Sequence, residues 1–202
     1  MTIPIIAILL AAGLSRRMGE ANKLLLPYKE KSILETTLCA LTQTNVQEVM
    51  VVVGFEEKRI CQIVNQFEGA TVVDNPQYTE GMMTSIQAGI RAMNEESQGM
   101  MICLADMPFI RTEDYNDLIE KYRKLCVVGE MAKPIVRPYQ ESRAGNPVIF
   151  HPYYQKSLLK HTQKSGAKAL IQAFSTNFVK MRTNNERYFK DIDTIEDYKN
   201  LQ

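Results

Sequence analysis

The sequence has almost no net charge, and this shortage already excludes some partners. The 24 Lys and Arg residues nearly balance the 23 Asp and Glu residues, so the formal net charge is only +1. Such a chain creates no overall field that would attract nucleic acid or an anionic membrane. Any anionic substrate must therefore be attracted by charges placed locally.

Signals for metal binding by cysteine or histidine, and for membrane insertion, are also scarce. The four cysteines have no C-x-x-C spacing, so we expect reduced thiols and a cytoplasmic protein. The two histidines, His151 and His161, have no neighbours with ligand-like spacing. The N-terminal apolar run is far shorter than the ~20 residues of a membrane span. We predict small-molecule substrates, and neither nucleic acid nor membrane as a partner.

What is present is an alternation of apolar β-branched runs with amphipathic stretches. With 202 residues, of which 45% are hydrophobic, the chain can bury one substantial core. The alternation predicts an α/β fold, which we interpret as a single three-layer α/β/α domain over residues 1–202 with a Rossmann-like, mainly parallel sheet. We predict strands at 5–10, 48–53, 71–74 and 100–105, and helices at 32–43, 56–67 and 83–94. Ser32 and Glu35 form a capping-box pattern at the first helix.

The pattern changes after residue 106. We predict a helix at 112–124, a strand at 126–129, extended segments at 134–139 and 145–150, helices at 152–160 and 166–174, a strand at 177–182 and a helix from about 195. The extended segments are expected to form a mixed sheet edge that arches like a lid over one side of a site.

The first strand runs directly into a small-residue loop that is typical of phosphate binding. Gly13 and Gly19 are separated by five residues and Glu20 follows, which excludes a P-loop. Ser15 stands where the dinucleotide fingerprint needs its second glycine, which excludes that motif. The loop can still bring backbone N–H groups to a phosphate, while Arg17 and Lys23 supply positive charge.

Carboxylates follow at two places. Asp106 comes directly after a buried strand, where ligands bind in parallel sheets, although it could instead cap the turn before Pro108. Asp191 and Asp193 would share a face if they lie on a strand and could complete an oxygen site for Mg²⁺. Alternatively, Asp193 or Thr194 could be the N-cap of the last helix.

Two further segments have both a structural and a functional interpretation. Gly81 to Ser85 open a helix, whose hydroxyl groups could bind a nucleotide or merely accompany a methionine core face. Gly145-Asn146-Pro147 could be only a tight turn into an edge strand.

Together, L-A-A-G-x-S-x-R-M-G-x-x-x-K, G-M-M-T-S, L-A-D-M-P, G-N-P-V-I-F and D-I-D-T resemble, in order and over nearly the whole chain, MobA-like NTP transferases, especially their molybdenum cofactor cytidylyltransferase branch. The resemblance implies the nucleotide-diphospho-sugar transferase type of fold and transfer of CMP from CTP to the terminal phosphate of molybdopterin. It implies nucleotide binding by Leu10, Ala11, Ala12, Gly13, Ser15, Arg17, Lys23, Gly81, Ser85 and Asp106. Arg17, Lys23 and Asp106 are then catalytic.

The same resemblance implies Mg²⁺, with Mn²⁺ also possible, on Asp106 and Asp193, and acceptor binding by Arg143, Gly145, Asn146 and Pro147. Guanylyltransferase relatives typically have glycine where this chain has Ala12, so cytosine is favoured over guanine. Alternatives stay open: a guanylyl or other nucleotidyl transfer to a different phosphorylated acceptor, or a non-catalytic accessory protein of molybdoenzymes. Transient contact with a molybdenum hydroxylase is a further expectation.

Overall fold

The main sheet has a parallel centre and a mixed edge. A computed structural model of the chain describes residues 3–19, 21–94, 96–127, 131–162 and 175–200. Its strands are β1 (Ile5–Leu10), β2 (Pro27–Tyr28), β3 (Lys31–Ser32), β4 (Glu48–Val53), β5 (Ala70–Asp74), β6 (Gly99–Leu104), β7 (Ile135–Gln140), β8 (Arg143–Ala144), β9 (Val148–Phe150) and β10 (Phe178–Arg182). The main sheet has the order β10-β7-β9-β6-β1-β4-β5, with β8 paired to β7, and β2 and β3 form a separate hairpin.

The centre of the sheet explains the continuous apolar runs of the sequence. β1 lies between β4 and β6 and is parallel to both, so that Ile8 is in register with Met50 and Ile102. Because helices cover both faces of the sheet at these strands, the side chains that point to either face are buried. β9 runs antiparallel between β6 and β7. The predicted α/β fold with a mainly parallel sheet is confirmed.

Helices cover the sheet on both faces. They are α1 (Ile33–Thr42), α2 (Glu57–Val64), α3 (Met82–Ala92), α4 (Thr112–Val127), α5 (Gln155–Lys160) and a short last helix, Ile195–Lys199. Buried side chains of α1, α2 and α4 form one core cluster, and those of α3 and α5 form the other. This gives the three predicted layers. The Ser32–Glu35 capping box of α1 is also present.

Helix α3 lies close to β1 because Gly89 carries no side chain. A Cβ atom added at Gly89 would collide with Cγ2 of Ile8. This close approach fixes the height of α3 above the sheet, and with it the position of the loop that precedes the helix.

Two predictions need correction. Residues 126 and 127, expected to begin a strand, are the last residues of α4. The buried residues Leu118, Tyr122 and Leu125 keep the helical period up to that point, and this packing outweighs the strand preference of the apolar stretch. The rest of that expected strand, at 128–129, and the helix expected at 166–174 lie outside the described residues. The expected mixed sheet edge is present, with β9 antiparallel to both of its neighbours. It does not form a separate lid, because β7, β9 and β10 continue the main sheet.

No described helix is both long enough and apolar enough to span a membrane. All four cysteines are free thiols, and that of Cys103 is buried. That residues 1–202 form a single domain stays a prediction.

Candidate active site

The loop after β1 presents unused backbone donors. Ala11 is buried and its N–H donates to the carbonyl of Val52 (2.9 Å), which ties the start of the loop to β4. Among the described residues, the N–H groups of Gly13 and Leu14 have no acceptor. Ser15 has a positive φ of 49°, which turns the chain into the 3₁₀ turn Arg16–Met18. The loop can therefore offer N–H groups to an anion.

Asn22 connects the two ends of this loop and was missed in the sequence. Its side chain is buried, and its Oδ1 accepts hydrogen bonds from Leu24 N (3.1 Å) and from the Ser15 hydroxyl (3.5 Å). The hydroxyl of Ser15 in turn accepts a bond from Lys23 N (3.2 Å). This network fixes the backbone from which Lys23 extends. The only sign of this role in the sequence is the position of Asn22 immediately before Lys23, which was predicted to bind phosphate.

Four charged side chains meet at the carboxyl end of the central strands. Lys23 Nζ donates to Asp106 Oδ2 (2.6 Å) and to Asp193 Oδ1 (2.9 Å). Arg17 Nη1 donates to the other oxygen of Asp193 (2.7 Å). The predicted catalytic residues Arg17, Lys23 and Asp106 and the predicted metal ligand Asp193 are thus brought together from three distant parts of the sequence.

Burial and charge act on the pKa values in this cluster in opposite directions. Burial lowers the pKa of Lys23, but its bonds to Asp106 and Asp193 outweigh this effect and raise it above the ordinary value. Burial raises the pKa of Asp193, but Lys23 and Arg17 bring it below the ordinary value. For Asp191, burial together with the charges of Asp193 and Asp106 raises the pKa. Lys23 and Asp193 are therefore held in their charged forms.

The segment that carries Asp191 and Asp193 is fastened to Asp106 through the backbone. Ile192 is buried between them, and its N–H donates to the carbonyl of Asp106 (3.0 Å). Thr194, rather than Asp193, caps the last helix, with Asp197 completing a capping box. The carboxylate of Asp193 is therefore free to contact the two cations.

A cavity of about 550 Å³ opens above this cluster. Of the residues predicted to bind nucleotide, only Ala11 is absent from its walls. The cavity is lined by Leu10, Ala12, Gly13, Leu14, Ser15, Arg16, Arg17, Lys23, Leu24, Tyr78, Thr79, Gly81, Met82, Ser85, Leu104, Asp106, Asp191 and Asp193. Tyr78 and Thr79 were not singled out in the sequence, because nothing in its pattern shows that the turn before α3 reaches the loop after β1. Met82, the first residue of α3, was expected to belong to a methionine core face, but it is 49% exposed and lines the cavity.

The start of α3 is organised by a buried amide. Asn75 Nδ2 donates to the hydroxyls of Thr84 (3.0 Å) and Ser85 (2.9 Å). Gly81 precedes the helix with φ of 120°, a conformation that favours glycine. The hydroxyl groups thus serve a structural network, while Ser85 also lines the cavity.

The four residues predicted to bind the acceptor do not line this cavity. Gly145 and Pro147 are buried, and Asn146 N donates to the carbonyl of Tyr188 (2.9 Å). Arg143 is paired with Glu186 (3.4 Å) and its side chain is 55% exposed. Acceptor binding by these four residues therefore stays a prediction.

The donor set around Asp106 fits a small hard cation. The second carboxylate oxygen of Asp106 is buried and has no hydrogen-bond partner, and Asp193 lies within reach of the same ammonium group. Carboxylate oxygens are the ligands that Mg²⁺ and Mn²⁺ prefer. Within the described ranges, no group of three or more His, Cys, Asp or Glu residues could hold a metal alone. Further ligands would have to come from water or from a bound phosphate.

The chain is similar to several known proteins over nearly its whole length. Over 192 residues the chain is 24% identical to a molybdenum cofactor cytidylyltransferase of Escherichia coli K12, covering 95% of this chain and 92% of that protein. It is 28% identical over 212 residues to a probable molybdenum cofactor guanylyltransferase of Methanosarcina mazei, covering 96% and 88%. It is 23% identical over 190 residues to a nicotine blue oxidoreductase of Paenarthrobacter nicotinovorans, covering 94% and 92%.

Solved structures show the same fold. A nucleotidyl transferase from Methanothermobacter superposes with a TM-score of 0.82 at 17% identity, covering 98% of this chain and 95% of that one. A Mycobacterium tuberculosis H37Rv protein in complex with manganese gives a TM-score of 0.74 at 20% identity, covering 100% and 98%. The model of the MobA-like NTP transferase domain matches residues 7–179. The chain belongs to the MobA-like NTP transferase family and is a nucleotidyltransferase.

Proposed function

We propose that this nucleotidyltransferase moves CMP from CTP to the terminal phosphate of a molybdopterin-type acceptor and releases pyrophosphate. The observation that carries the proposal is the cluster of Lys23, Arg17, Asp106 and Asp193 at the base of a cavity lined by the loop after β1. It combines cations for a triphosphate with carboxylates for a metal. The cytidylyltransferase relative supports the nucleotide and the acceptor.

The reaction requires charge stabilisation rather than a general base. An oxygen of the acceptor phosphate attacks the α-phosphorus of CTP, and the bond from that phosphorus to the oxygen bridging to the β-phosphate breaks. A phosphomonoester has a second pKa of ~6, so the attacking oxygen is already ionised at neutral pH. No proton has to be removed, and the leaving pyrophosphate takes the electron pair of the broken bond.

Each residue of the cluster then has a separate task. The free N–H groups of Gly13 and Leu14 orient the phosphates, and Lys23 and Arg17 offset the charge that builds up on the α-phosphate and the leaving group. Asp106 and Asp193 would hold Mg²⁺, with Mn²⁺ as an alternative. The metal would supply Lewis-acid stabilisation of the phosphate oxygens.

Choice of the base is the finer part of the proposal. Ala12 lines the cavity, and its methyl group takes space that glycine would leave to a purine. The guanylyltransferase relative supports GTP as the competing nucleotide. Acceptor binding at Arg143, Gly145, Asn146 and Pro147 also belongs to the proposal, and the exposed guanidinium of Arg143 is its accessible part.

The test is a panel of CTP, GTP and ATP, each with and without molybdopterin-type acceptor and with Mg²⁺ or Mn²⁺, following pyrophosphate release. We expect release only with acceptor and metal, and fastest with CTP. Preference for GTP would replace the cytidylyl assignment with a guanylyl one. Turnover of CTP with other phosphorylated acceptors but not this one would overturn the acceptor.

A further inference from the structure

Lys23 occupies the place where its two carboxylate partners would share a metal ion. Its Nζ lies 2.6 Å from Asp106 Oδ2 and 2.9 Å from Asp193 Oδ1, and only 13% of its side chain is exposed. In the part of the chain that the structure describes, Asp106 Oδ1 has no hydrogen-bond partner, but both oxygens of Asp193 accept hydrogen bonds, one from Lys23 and the other from Arg17. A divalent cation that bridges the two carboxylates would therefore have to displace one of these cationic groups from Asp193.

The charges that are directly paired in the cluster balance without a metal. Arg17 and Lys23 carry two positive charges, and Asp106 and Asp193 carry two negative charges. Asp191 also lines the cavity, but among the described residues it forms no ion pair with either cation. The paired carboxylates therefore present little net attraction to a divalent cation. Since no third described carboxylate, His or Cys completes a ligand set, the protein alone is a poor metal site.

We infer that Lys23 acts as an exchangeable cation: it holds the two carboxylates until the nucleotide's phosphates draw it away, so that metal and nucleotide enter the site together. This inference rests on the metal and nucleotide assignment of the proposed function. The lysine stem is flexible and its ammonium group is a mobile point charge. A triphosphate bound to the free N–H groups of Gly13 and Leu14 would offer that ammonium group several new anionic oxygens.

When the ammonium group of Lys23 leaves the two carboxylates, two effects reinforce one another. The phosphates gain a cation, and the two Asp side chains regain the charge that attracts the metal. Phosphate oxygens complete the ligand set that the protein lacks. Binding of one substrate component therefore raises the affinity for the other, and the coupling is reciprocal.

The experiment measures binding of Mn²⁺ alone, without nucleotide, by electron paramagnetic resonance titration. It compares the wild type with Lys23→Met, which keeps an unbranched side chain that is one atom shorter and removes its charge. Lys124→Met is the matched control, since Lys124 pairs with Glu120 on the exposed face of α4. Urea unfolding checks whether Lys23→Met disturbs the fold. If it does, Lys23→Gln takes its place.

We expect Lys23→Met to bind Mn²⁺ at least about tenfold more tightly than the wild type, with no change in Lys124→Met. Adding Asp106→Asn to Lys23→Met should abolish the gain. Equal affinity of Lys23→Met, or of Lys23→Gln in its place, and the wild type would overturn the exchange. A gain that survives Asp106→Asn would instead show that the metal site lies elsewhere, which overturns the metal assignment of the proposed function.

Discussion

Asp106 holds one carboxylate oxygen on Lys23 while the other is buried without a partner. Asp106→Asn keeps the shape of the side chain but removes its charge and one anionic oxygen. We expect kcat to fall by at least about 100-fold, because charge on the transferred phosphate is no longer offset. Steady-state pyrophosphate release measures the effect, and Asp117→Asn on the exposed face of α4 is the control. Undiminished kcat would contradict the role of Asp106.

Ala12 is 3% exposed and lines the cavity beside the expected position of the base. One methyl group changes such preferences by only about 1–3 kcal/mol, so Ala12→Gly should shift selectivity from CTP toward GTP without reversing it. The measurement is kcat/KM for both nucleotides with the same acceptor. A wild type that already prefers GTP would contradict the cytidylyl assignment while leaving the carboxylate cluster untouched.

Single residues could be predicted where they follow the end of a strand or belong to a recognisable motif. Asp106 follows β6 and Lys23 belongs to the motif after β1, and Lys23 Nζ lies 2.6 Å from Asp106 Oδ2. Asn22 and Asn75 could not be predicted, because an asparagine that ties two loops together is identical in sequence to one that caps a turn. Their partners become known only from the tertiary fold.

Between elements, the contact of Gly89 with Ile8 sets how closely α3 approaches β1. Gly89→Ala should lower the free energy of unfolding by about 1–3 kcal/mol, because the overpacking exceeds the helix propensity gained. Urea unfolding measures this cost. In an Ile8→Ala background, where the colliding methyl group is absent, the cost should shrink by at least about 1 kcal/mol. A cost that is equal in both backgrounds would show that another contact is responsible.

Asp114 connects the start of α4 to the segment that precedes Asp191 and Asp193. Its carboxylate accepts hydrogen bonds from Arg111 N (2.8 Å), Asn185 Nδ2 (2.6 Å) and Arg187 Nε (2.7 Å). Burial raises the pKa of Asp114, but these bonds outweigh burial and lower it. Asp114→Asn should cost about 1–3 kcal/mol at pH 7, a value discounted because the Arg187 side chain is 37% exposed.

The pH dependence of that cost follows from the lowered pKa. The stabilisation by Asp114 is fully present above the unfolded pKa of about 3.9 and is lost as the pH falls through the lower folded value. Urea unfolding of wild type and Asp114→Asn should therefore converge below about pH 4. Glu120→Gln, in an exposed pair, should change stability by less than about 0.5 kcal/mol. A gap that stays constant down to acid pH would contradict the ionic role.

Element boundaries were predictable where the burial pattern is unbroken. β1 and β4 have the predicted limits. β1 is apolar throughout and lies between Pro4 and a loop of small residues, and β4 is apolar after Glu48 and ends before Gly54. The end of α4 was not predictable, since residues 126 and 127 suit a strand by composition and are helical only because Leu125 continues the packed face. The position of β9 between β6 and β7 was likewise beyond the sequence, because strand order is decided by long-range pairing.

For the whole molecule, nucleotide binding should stabilise the fold. A ligand at about 100 times its Kd adds about 2.7 kcal/mol, which raises the Tm of a chain of this size by about 5–10 °C. We expect this rise with CTP and Mg²⁺, a smaller one with GTP, and little in Asp193→Asn. Asp117→Asn should retain the full rise. Thermal unfolding measures it, and the absence of a shift with every nucleotide would contradict the assignment of the cavity.

The separation of the charged partners along the chain has a consequence for biosynthesis. Lys23 and Asp106 are 83 residues apart, and Lys23 and Asp193 are 170 residues apart. At about 5–20 residues per second, the ribosome completes Asp193 roughly 9 to 34 seconds after Lys23. During that time the nascent loop with Arg17 and Lys23 lacks the carboxylate that both cations share, so a polypeptide whose translation stops before Asp193 cannot complete the charged cluster.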